Sequence, residues 1–366
     1  MIERFVDLFE DCTKQGSKIK TDEYKEAGKY IIVDQGQNDI AGYTDEINGV
    51  YEDIPAIVFG DHTRVIKYID KPFFLGADGV KLLKCKRKNA NYKYLYYALK
   101  NAKIPNTGYN RHYKWLKEIR IMYPDLIQQQ RIVDVLDKIE KIMLYRKKQI
   151  DKLDELIKAR FVEMFGDPVS NTLGWDIVEV GDVCFVTKLA GFEYTEYIKY
   201  QDHGDVIMIR WLNVKEKKIK LDDVYYIDAK VSDMLPRSQL RENDIVMTYV
   251  GVNIGDVALV DGYNRYHLAP NVAKISLNSF EVLNPMFFVN LLAFNKENYA
   301  SNATNTAKQA LNMDKIRKLQ VMLPPIDLQN QFEIFAKQVD KLKVAVQKSL
   351  DETQLLFDSL MQQYFG

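Results

Sequence analysis

The sequence holds 3 cysteines and 4 histidines in 366 residues. Cys12, Cys85 and Cys184 lie far apart and make no CxxC pair, so neither a zinc site nor a disulfide framework is indicated. A reducing cytoplasm is the natural home for such a chain. His62, His112, His203 and His267 are scattered without metal-ligand spacing. No run of about 18 apolar residues occurs, so no membrane span is expected, and the opening MIERFVDLFEDC is too acidic and mixed for a signal peptide. There is no GxxxxGK[ST] phosphate loop, no GxSxG elbow and no Asn/Asp-Pro-Pro-aromatic tetrapeptide of the kind amino-methyltransferases use. The segment Leu323-Pro324-Pro325-Ile326 is apolar instead. The glycines of GVNIGD lie in a strand-turn-strand pattern and predict a hairpin turn, not a phosphate cradle. Charge is balanced, 51 basic against 51 acidic residues. That counts against a simple nucleic-acid binder, although local segregation is compatible with a zero sum. These absences favour a binding protein over a catalyst.

What the chain does contain is a long repeat. PDLIQQQRIVDVLDKIEKIMLYRKKQIDKLDELIKARFVEMFG (124–166) returns as PPIDLQNQFEIFAKQVDKLKVAVQKSLDETQLLFDSLMQQYFG at 324–366. Pro124 answers Pro324, Gln129 answers Gln329, and Phe165-Gly166 answers Phe365-Gly366, an offset of 200 residues throughout. A repeat fixes architecture before any motif is read. Apolar residues recur at spacings of four and three: Ile132, Leu136, Ile139, Met143, Ile150, Leu153 and Ile157 in the first copy, and Phe332, Ala336, Val339, Val346, Leu350 and Phe357 in the second. This is a heptad seam, interrupted by Arg146, Lys343 and Thr353. Proline at the approach and no proline or glycine before the closing Phe-Gly predict two helices of about 30 residues, roughly 45–50 Å each. They could pack separately on neighbouring domains. Matched length and matched ends favour an antiparallel coiled coil that acts as a rigid spacer.

The chain therefore divides into a first block (1–123), a helix (124–166), a second block (167–323) and a helix (324–366). At this length roughly two or three domains are expected. In the first block FVDLFEDC alternates like a short strand. YIIV runs into a Gly-Gln-Asn-rich loop, IPAIVFG predicts a buried strand, and DHTRVIKYID and PFFLGADGVKLLKC predict further strands. NYKYLYYALKN has helical spacing. The second block repeats the order of events. WDIVEVGDVC resembles FVDLFEDC, with Val178, Val180 and Cys184 set against Val6, Leu8 and Cys12. NDIVMTYVGVNIGDVALVDG resembles IPAIVFGDHTRVIKYID, and NPMFFVNLLAFN stands where NYKYLYYALKN stood. The fold class is α+β: two mixed α/β domains separated by two long helices, with a pseudo-twofold internal repeat.

Candidate contact residues cluster before each helix. Cations, amides and aromatics interleave at Tyr109, Asn110, Arg111, His112, Tyr113 and Lys114, and again at Asn305, Lys308, Gln309 and Lys315. Arg and Lys suit phosphate or guanine, and Asn and Gln suit adenine edges. The same mix describes an ordinary solvated loop. His62, Arg64 and Lys67 follow a predicted strand. Arg210, Trp211 and Asn213 end another, and Trp211 reads as a core or hinge aromatic rather than a base stacker. Gln35, Gln37 and Asn38 form a turn or read bases, and Asn253 lies in the GVNIGD turn.

Taken together, the chain resembles the specificity (S) subunit of Type I restriction–modification systems over its whole length. The resemblance rests on the helix openings Pro124, Leu126, Gln129, Ile132 and Pro324, Ile326, Gln329, Phe332, and on the endings Met164-Phe165-Gly166-Asp167-Pro168 and Tyr364-Phe365-Gly366. Trp175, Val178, Gly181 and Asp182, with the pair Gly251 and Gly255, complete it. The first block departs from this pattern, with Phe5 and Glu10 near the expected Trp and Asp and only Gly60 of the glycine pair. The resemblance implies that each block is a target recognition domain reading one half of a split double-stranded DNA site. The paired helices would set the gap and dock two methyltransferase subunits, and a restriction subunit would join for cleavage. It implies no cofactor in this chain, with S-adenosylmethionine, ATP and magnesium held by the partners. A structural adaptor with two β-rich domains is the rival reading, and a methyltransferase or nuclease with degenerate motifs is a further one.

Overall fold

The computed structural model describes residues 1–76, 79–301 and 310–366. It forms two compact units, residues 1–149 with 346–366, and residues 150–345.

The first unit runs β1 (Ile2–Arg4), α1 (Phe5–Leu8), β2 (Phe9–Asp11), β3 (Tyr30–Val33), β4 (Gly42–Thr44), β5 (Ala56–Gly60), β6 (Ile66–Ile69), β7 (Phe73–Leu75), β8 (Val80–Cys85), α2 (Tyr92–Lys100), α3 (Tyr113–Leu116), β9 (Arg120–Met122) and the opening part of α4 (Leu126–Phe165). The strands form three sheets, a β1-β9 pair and two larger ones ordered β2-β8-β5-β6 and β4-β3-β7, with β3 and β7 parallel. Alternate residues of β5 face opposite sides, as the pleat requires. Ile57 and Phe59 join α2 and the long helices in one core, while Ala56 and Val58 join β3 and β7 in another. Both sides are apolar because the sheet is covered on both faces. Helix α2 starts where Asn91 accepts a hydrogen bond from Tyr94 N at 3.0 Å, an N-cap that satisfies a free helix donor.

The second unit continues α4 and then runs β10 (Ile177–Glu179), α5 (Val180–Val183), β11 (Cys184–Lys188), α6 (Gly191–Tyr197), β12 (Val206–Ile209), β13 (Val214–Lys215), β14 (Lys217–Ile219), β15 (Tyr225–Ile227), α7 (Ala229–Met234), β16 (Gln239–Leu240), β17 (Ile245–Thr248), β18 (Val257–Leu259), β19 (Arg265–Leu268), β20 (Val272–Leu277), α8 (Pro285–Phe294), α9 (Lys296–Ser301), α10 (Met313–Arg317), β21 (Gln320–Met322) and α11 (Ile326–Phe365). Beside a β10-β21 pair, its larger sheets are β11-β20-β17-β18-β14-β13 and β15-β12-β19-β16. The first unit's two larger orders are embedded one in each, and β12 and β19 are parallel as β3 and β7 are. The GVNIGD glycines sit in the turn of the antiparallel β17–β18 hairpin, as the sequence pattern predicts.

Three expectations need correction. The openings of the blocks are not single strands: each is a strand, one helical turn and a second strand. Their register also differs from the sequence pairing. Arg4 faces Arg120 in β1–β9, and Glu179 faces Gln320 in β10–β21. Since residues 120 and 320 are repeat partners, Arg4 answers Glu179, and Asp7 rather than Glu10 answers Asp182. The equivalence is chemical too, because Asp182 accepts from Glu179 N while Asp7 takes the Arg4 guanidinium at 2.7 Å.

The long helices each span 40 residues, not about 30. At 1.5 Å per residue that is about 60 Å. Their final turns persist because they are packed: Phe161 stacks with Phe287 and Phe294 and meets Phe165 and Phe332 edgewise or tilted. Gly166, at φ +76°, then ends α4 in the left-handed conformation usual after a helix, and Trp175 Nε1 donates to the Phe165 carbonyl at 2.9 Å. Within the first unit, Ile132, Leu136 and Ile139 of α4 share a core with Phe357 and Met361 of α11. Within the second, Ile157 and Phe161 share one with Phe332, Ala336 and Val339. The start of each helix thus meets the end of the other, and the pair is antiparallel. Met143 and Leu153 pack partly buried against these cores, and Ile150, Val346 and Leu350 are half-buried. The seam breaks are bonded: Lys343 to Asp154 at 2.6 Å, Thr353 to the Ser349 carbonyl at 2.6 Å, and Arg146 to Gln149 at 3.0 Å.

Candidate nucleic-acid interface

In the first unit three loops converge beyond the carboxyl ends of β3, β5 and α2. The β3–β4 loop begins with Asp34 and Gln35. Gln35 accepts from His62 N at 3.2 Å through Oε1, and its carbonyl accepts from Thr63 Oγ1 at 2.6 Å. The β5–β6 turn is thereby tied to it. The α2–α3 loop is tied to the same turn. His112 N donates to the Asp61 carbonyl at 2.8 Å, His112 Nδ1 lies 3.0 Å from that oxygen, and Tyr113 N donates to Asp61 Oδ1 at 2.7 Å. Arg64, at φ +64°, sends Nη1 to the Ile104 carbonyl at 3.3 Å.

On this frame Gln37, Asn38, Tyr109, Asn110, Arg111 and Lys114 are exposed. Tyr109 is 85% exposed and yet stacks on the half-buried His62, ring centroids 4.6 Å apart and ring planes nearly parallel. A flat aromatic held at a loop tip, flanked by an amide and a guanidinium, can present a π-face and hydrogen-bonding groups to a groove. Lys67 stands apart and corrects the sequence reading. It is 2% exposed, 3.5 Å from Asp34 Oδ1 and bonded to the Asn38 carbonyl. Burial lowers its pKa, against the opposing pull of Asp34. The alternating strand pattern of β6 turned it inward, where it braces the loop carrying Gln37 and Asn38.

In the second unit the corresponding positions are built differently. Asn213 is 2% exposed, and its Nδ2 donates to the Lys220 and Asp223 carbonyls at 2.8 Å each. It is a turn residue inside the fold, not a surface contact. Arg210 is likewise engaged, 3.0 Å from Asp223 Oδ2 with its guanidinium 4.5 Å from the Tyr225 ring centre. Trp211, beside them in a single helical turn, is 37% exposed, so it is not a core aromatic. Asn253 is half-buried in the β17–β18 turn, next to Val252, which is 93% exposed. Lys308 and Gln309, like Asn305, lie outside the described residues. The end of that stretch is fixed: Leu311 N donates to the Tyr249 carbonyl at 2.9 Å, and Asn312 caps α10 through Lys315 N at 2.7 Å.

Sequence reasoning missed Asp61, Thr107, Tyr249 and Lys188, whose ammonium lies 5.5 Å from the Tyr249 ring centre. One signal for the anchors was present. His112 and Asn312 are repeat partners, and each stands immediately before a short helix. Among the described residues no group of His, Cys, Asp or Glu could hold a metal ion, and no helix is long and apolar enough to cross a membrane.

Comparison with known proteins places these features in a family. A family model for the Type I restriction modification DNA specificity domain matches residues 4–155 and again 173–353. The Type I restriction enzyme EcoR124I/EcoR124II specificity subunit of Escherichia coli is 29% identical over 133 residues, 33% of this chain and 33% of that protein. The EcoBI specificity subunit of Escherichia coli is 24% identical over 241 residues, 63% of this chain and 46% of that protein. The matched stretches thus span less than half the length of these relatives. Among solved structures, the S subunit of a Type I restriction–modification system from M. genitalium shares the fold over 100% of this chain and 96% of its own, with TM-score 0.61 at 15% identity. A chain from work on assembly and conformational transition of the type I R-M system does so with TM-score 0.57 at 15% identity, over 100% and 97% of the two chains.

Proposed function

The chain belongs to the Type I restriction modification DNA specificity family, and we propose that it is the sequence-reading subunit of a restriction–modification complex. Blocks 1–123 and 167–323 each read one half of a split double-stranded DNA site. The helical segments 124–166 and 324–366 set the unread gap and dock two methyltransferase subunits, and a restriction subunit completes the assembly in the cytoplasm. The chain itself is not a catalyst. S-adenosylmethionine, ATP and magnesium belong to the partners.

One observation carries this reading. The second unit contains the first unit's strand orders, while the loops after the equivalent strands β3 and β12 differ: exposed Gln37 and Asn38 in the first, an Arg210–Tyr225 pair beside Trp211 in the second. A duplicated frame with unlike loops suits two half-sites of unlike sequence. Docking has a repeated counterpart as well. Ile142 and Leu342, Leu144 and Val344, and Leu156 and Leu356 are repeat partners that are apolar and exposed, which suits two copies of one partner. The neutral net charge fits a subunit whose partners share the DNA contacts.

The test is to co-express the chain with the methyltransferase and restriction subunits encoded beside it and to map methylated sites in the host genome. A split motif with a fixed gap is the expected result. Assembly without sequence-specific methylation would overturn this reading in favour of the adaptor.

A further inference from the structure

We infer that His112 is a positioning residue that sets which bases the first unit discriminates, without touching DNA itself. The inference rests on the DNA-reading function proposed above. The loop tip is built mostly on itself. Gly108 N donates to Asn106 Oδ1 at 3.2 Å, Asn110 N donates to the Gly108 carbonyl at 2.8 Å, and Asn110 Nδ2 donates to the Thr107 carbonyl. Gly108 itself sits at φ +76° with open space where a side chain would project. What fixes the tip to the fold lies underneath it. His112 is 0% exposed and Asp61 3%.

The chemistry of the clasp is specific. The Asp61 carbonyl can only accept, so Nδ1 at 3.0 Å carries the ring proton. Nε2 is then an acceptor, and it faces Thr107 N at 3.4 Å and Thr107 Oγ1 at 3.3 Å. One imidazole therefore ties the β5–β6 turn to the residue that starts the tip. Tyr109, two residues on from Thr107, comes to lie flat on His62, the neighbour of Asp61. Alanine at 112 removes both side-chain links and leaves only the backbone bonds of residues 112 and 113 to Asp61, and asparagine can keep only the donor toward Asp61. The repeat partner in the second unit is already an asparagine, Asn312, which caps its own short helix instead.

The experiment uses the complete methyltransferase complex carrying His112→Ala, His112→Asn or Tyr109→Ala, with methylated sites mapped and binding measured on cognate and single-mismatch duplexes. His112→Ala is expected to broaden the motif within one half-site only, with discrimination there falling about tenfold or more, the size of one lost base contact. Tyr109→Ala should broaden the same half-site, and His112→Asn should fall between His112→Ala and wild type. The other half-site, the gap and binding to non-specific DNA should not change. Uniformly reduced methylation with the motif intact would mean a merely structural role and would overturn the inference, as would an unchanged motif. If His112→Ala does not assemble, the comparison of His112→Asn with Tyr109→Ala decides on the same criteria. A wild-type complex without any split motif would instead remove the functional reading, and this inference with it.

Discussion

Gln329 donates from Nε2 to the carbonyl oxygen of Pro324 at 2.7 Å, closing the approach to α11, and Gln129 makes the same bond to Pro124 at 2.8 Å. The repeated Pro-x-x-x-x-Gln spacing is thus a helix-start device: both glutamines are 0% exposed. Gln329 does more. It donates to the Val282 carbonyl at 3.2 Å and accepts from Asn284 N at 2.8 Å, while Asn284 caps α8 through Met286 and Phe287. Gln329→Ala leaves the buried Asn284 N–H without its acceptor and should cost about 1–3 kcal/mol for that group alone. Gln129→Ala should cost less. Urea unfolding of the two variants checks the ordering, and equal losses would show that the Asn284 contact contributes nothing.

Arg111 and Lys114 flank the stacked Tyr109–His62 tip and are exposed. If they meet phosphate, alanine at either should weaken binding of the assembled complex evenly across sequences. Each replacement should also flatten the dependence of log K on log salt by about one. Affinity measured against salt for cognate and non-cognate duplexes separates the outcomes. Loss confined to one base position would make the residue a base reader.

His267 lies at 0% exposure in the second unit, with Nδ1 3.1 Å from Ser232 Oγ. Burial pushes its pKa down from 6.5 to about 4; Lys274 acts in the same direction and Glu193 opposes. The native state therefore refuses a proton that the unfolded chain accepts below pH 6.5. Stability from this group is complete above that pH and falls as pH drops toward 4, by on the order of 3 kcal/mol in all. Thermal melts between pH 7.5 and 4.5 should show Tm falling, and His267→Gln should flatten that part of the slope. An identical slope in the variant would assign the acid sensitivity to other groups.

The sequence made the repeat, the seam and the buried strands legible because each is local. Periods of 3.6 and 2 reflect one element's own geometry. What it concealed depends on partners distant in the chain. Lys67 reads as a surface cation until Asp34 and the Asn38 carbonyl are found beside it. His112 reads as one more polar loop residue until Asp61, 51 positions away, is found bonded to its Nδ1. The opening of the first block conceals its register because Phe5 occupies the place of Val180 and no tryptophan marks it. Only the pairing of β1 with β9 fixes that register. The helices outrun the expected length because the apolar spacing continues past Ile157 and Phe357, through Phe161 and Met164 in one and Met361 and Tyr364 in the other, into the core of each unit.

The gap between half-sites should follow helix length. Each helix is 40 residues long, and within each unit the start of one packs on the end of the other, so both must change together. Seven residues inserted between Ile139 and Leu153, with seven at the equivalent place between Val339 and Thr353, preserve the heptad and add about 10 Å. On B-DNA that is about three base pairs at 3.4 Å each. Methylated-site mapping with the doubly extended chain should return both half-sites unaltered and a gap lengthened by about that amount. Extending α4 alone should instead bring Arg146 and its neighbours out of step with α11 and lower assembly. An unchanged gap in the doubly extended chain would mean that the helices do not set the spacing, and altered half-sites would mean that reading is not confined to the loops.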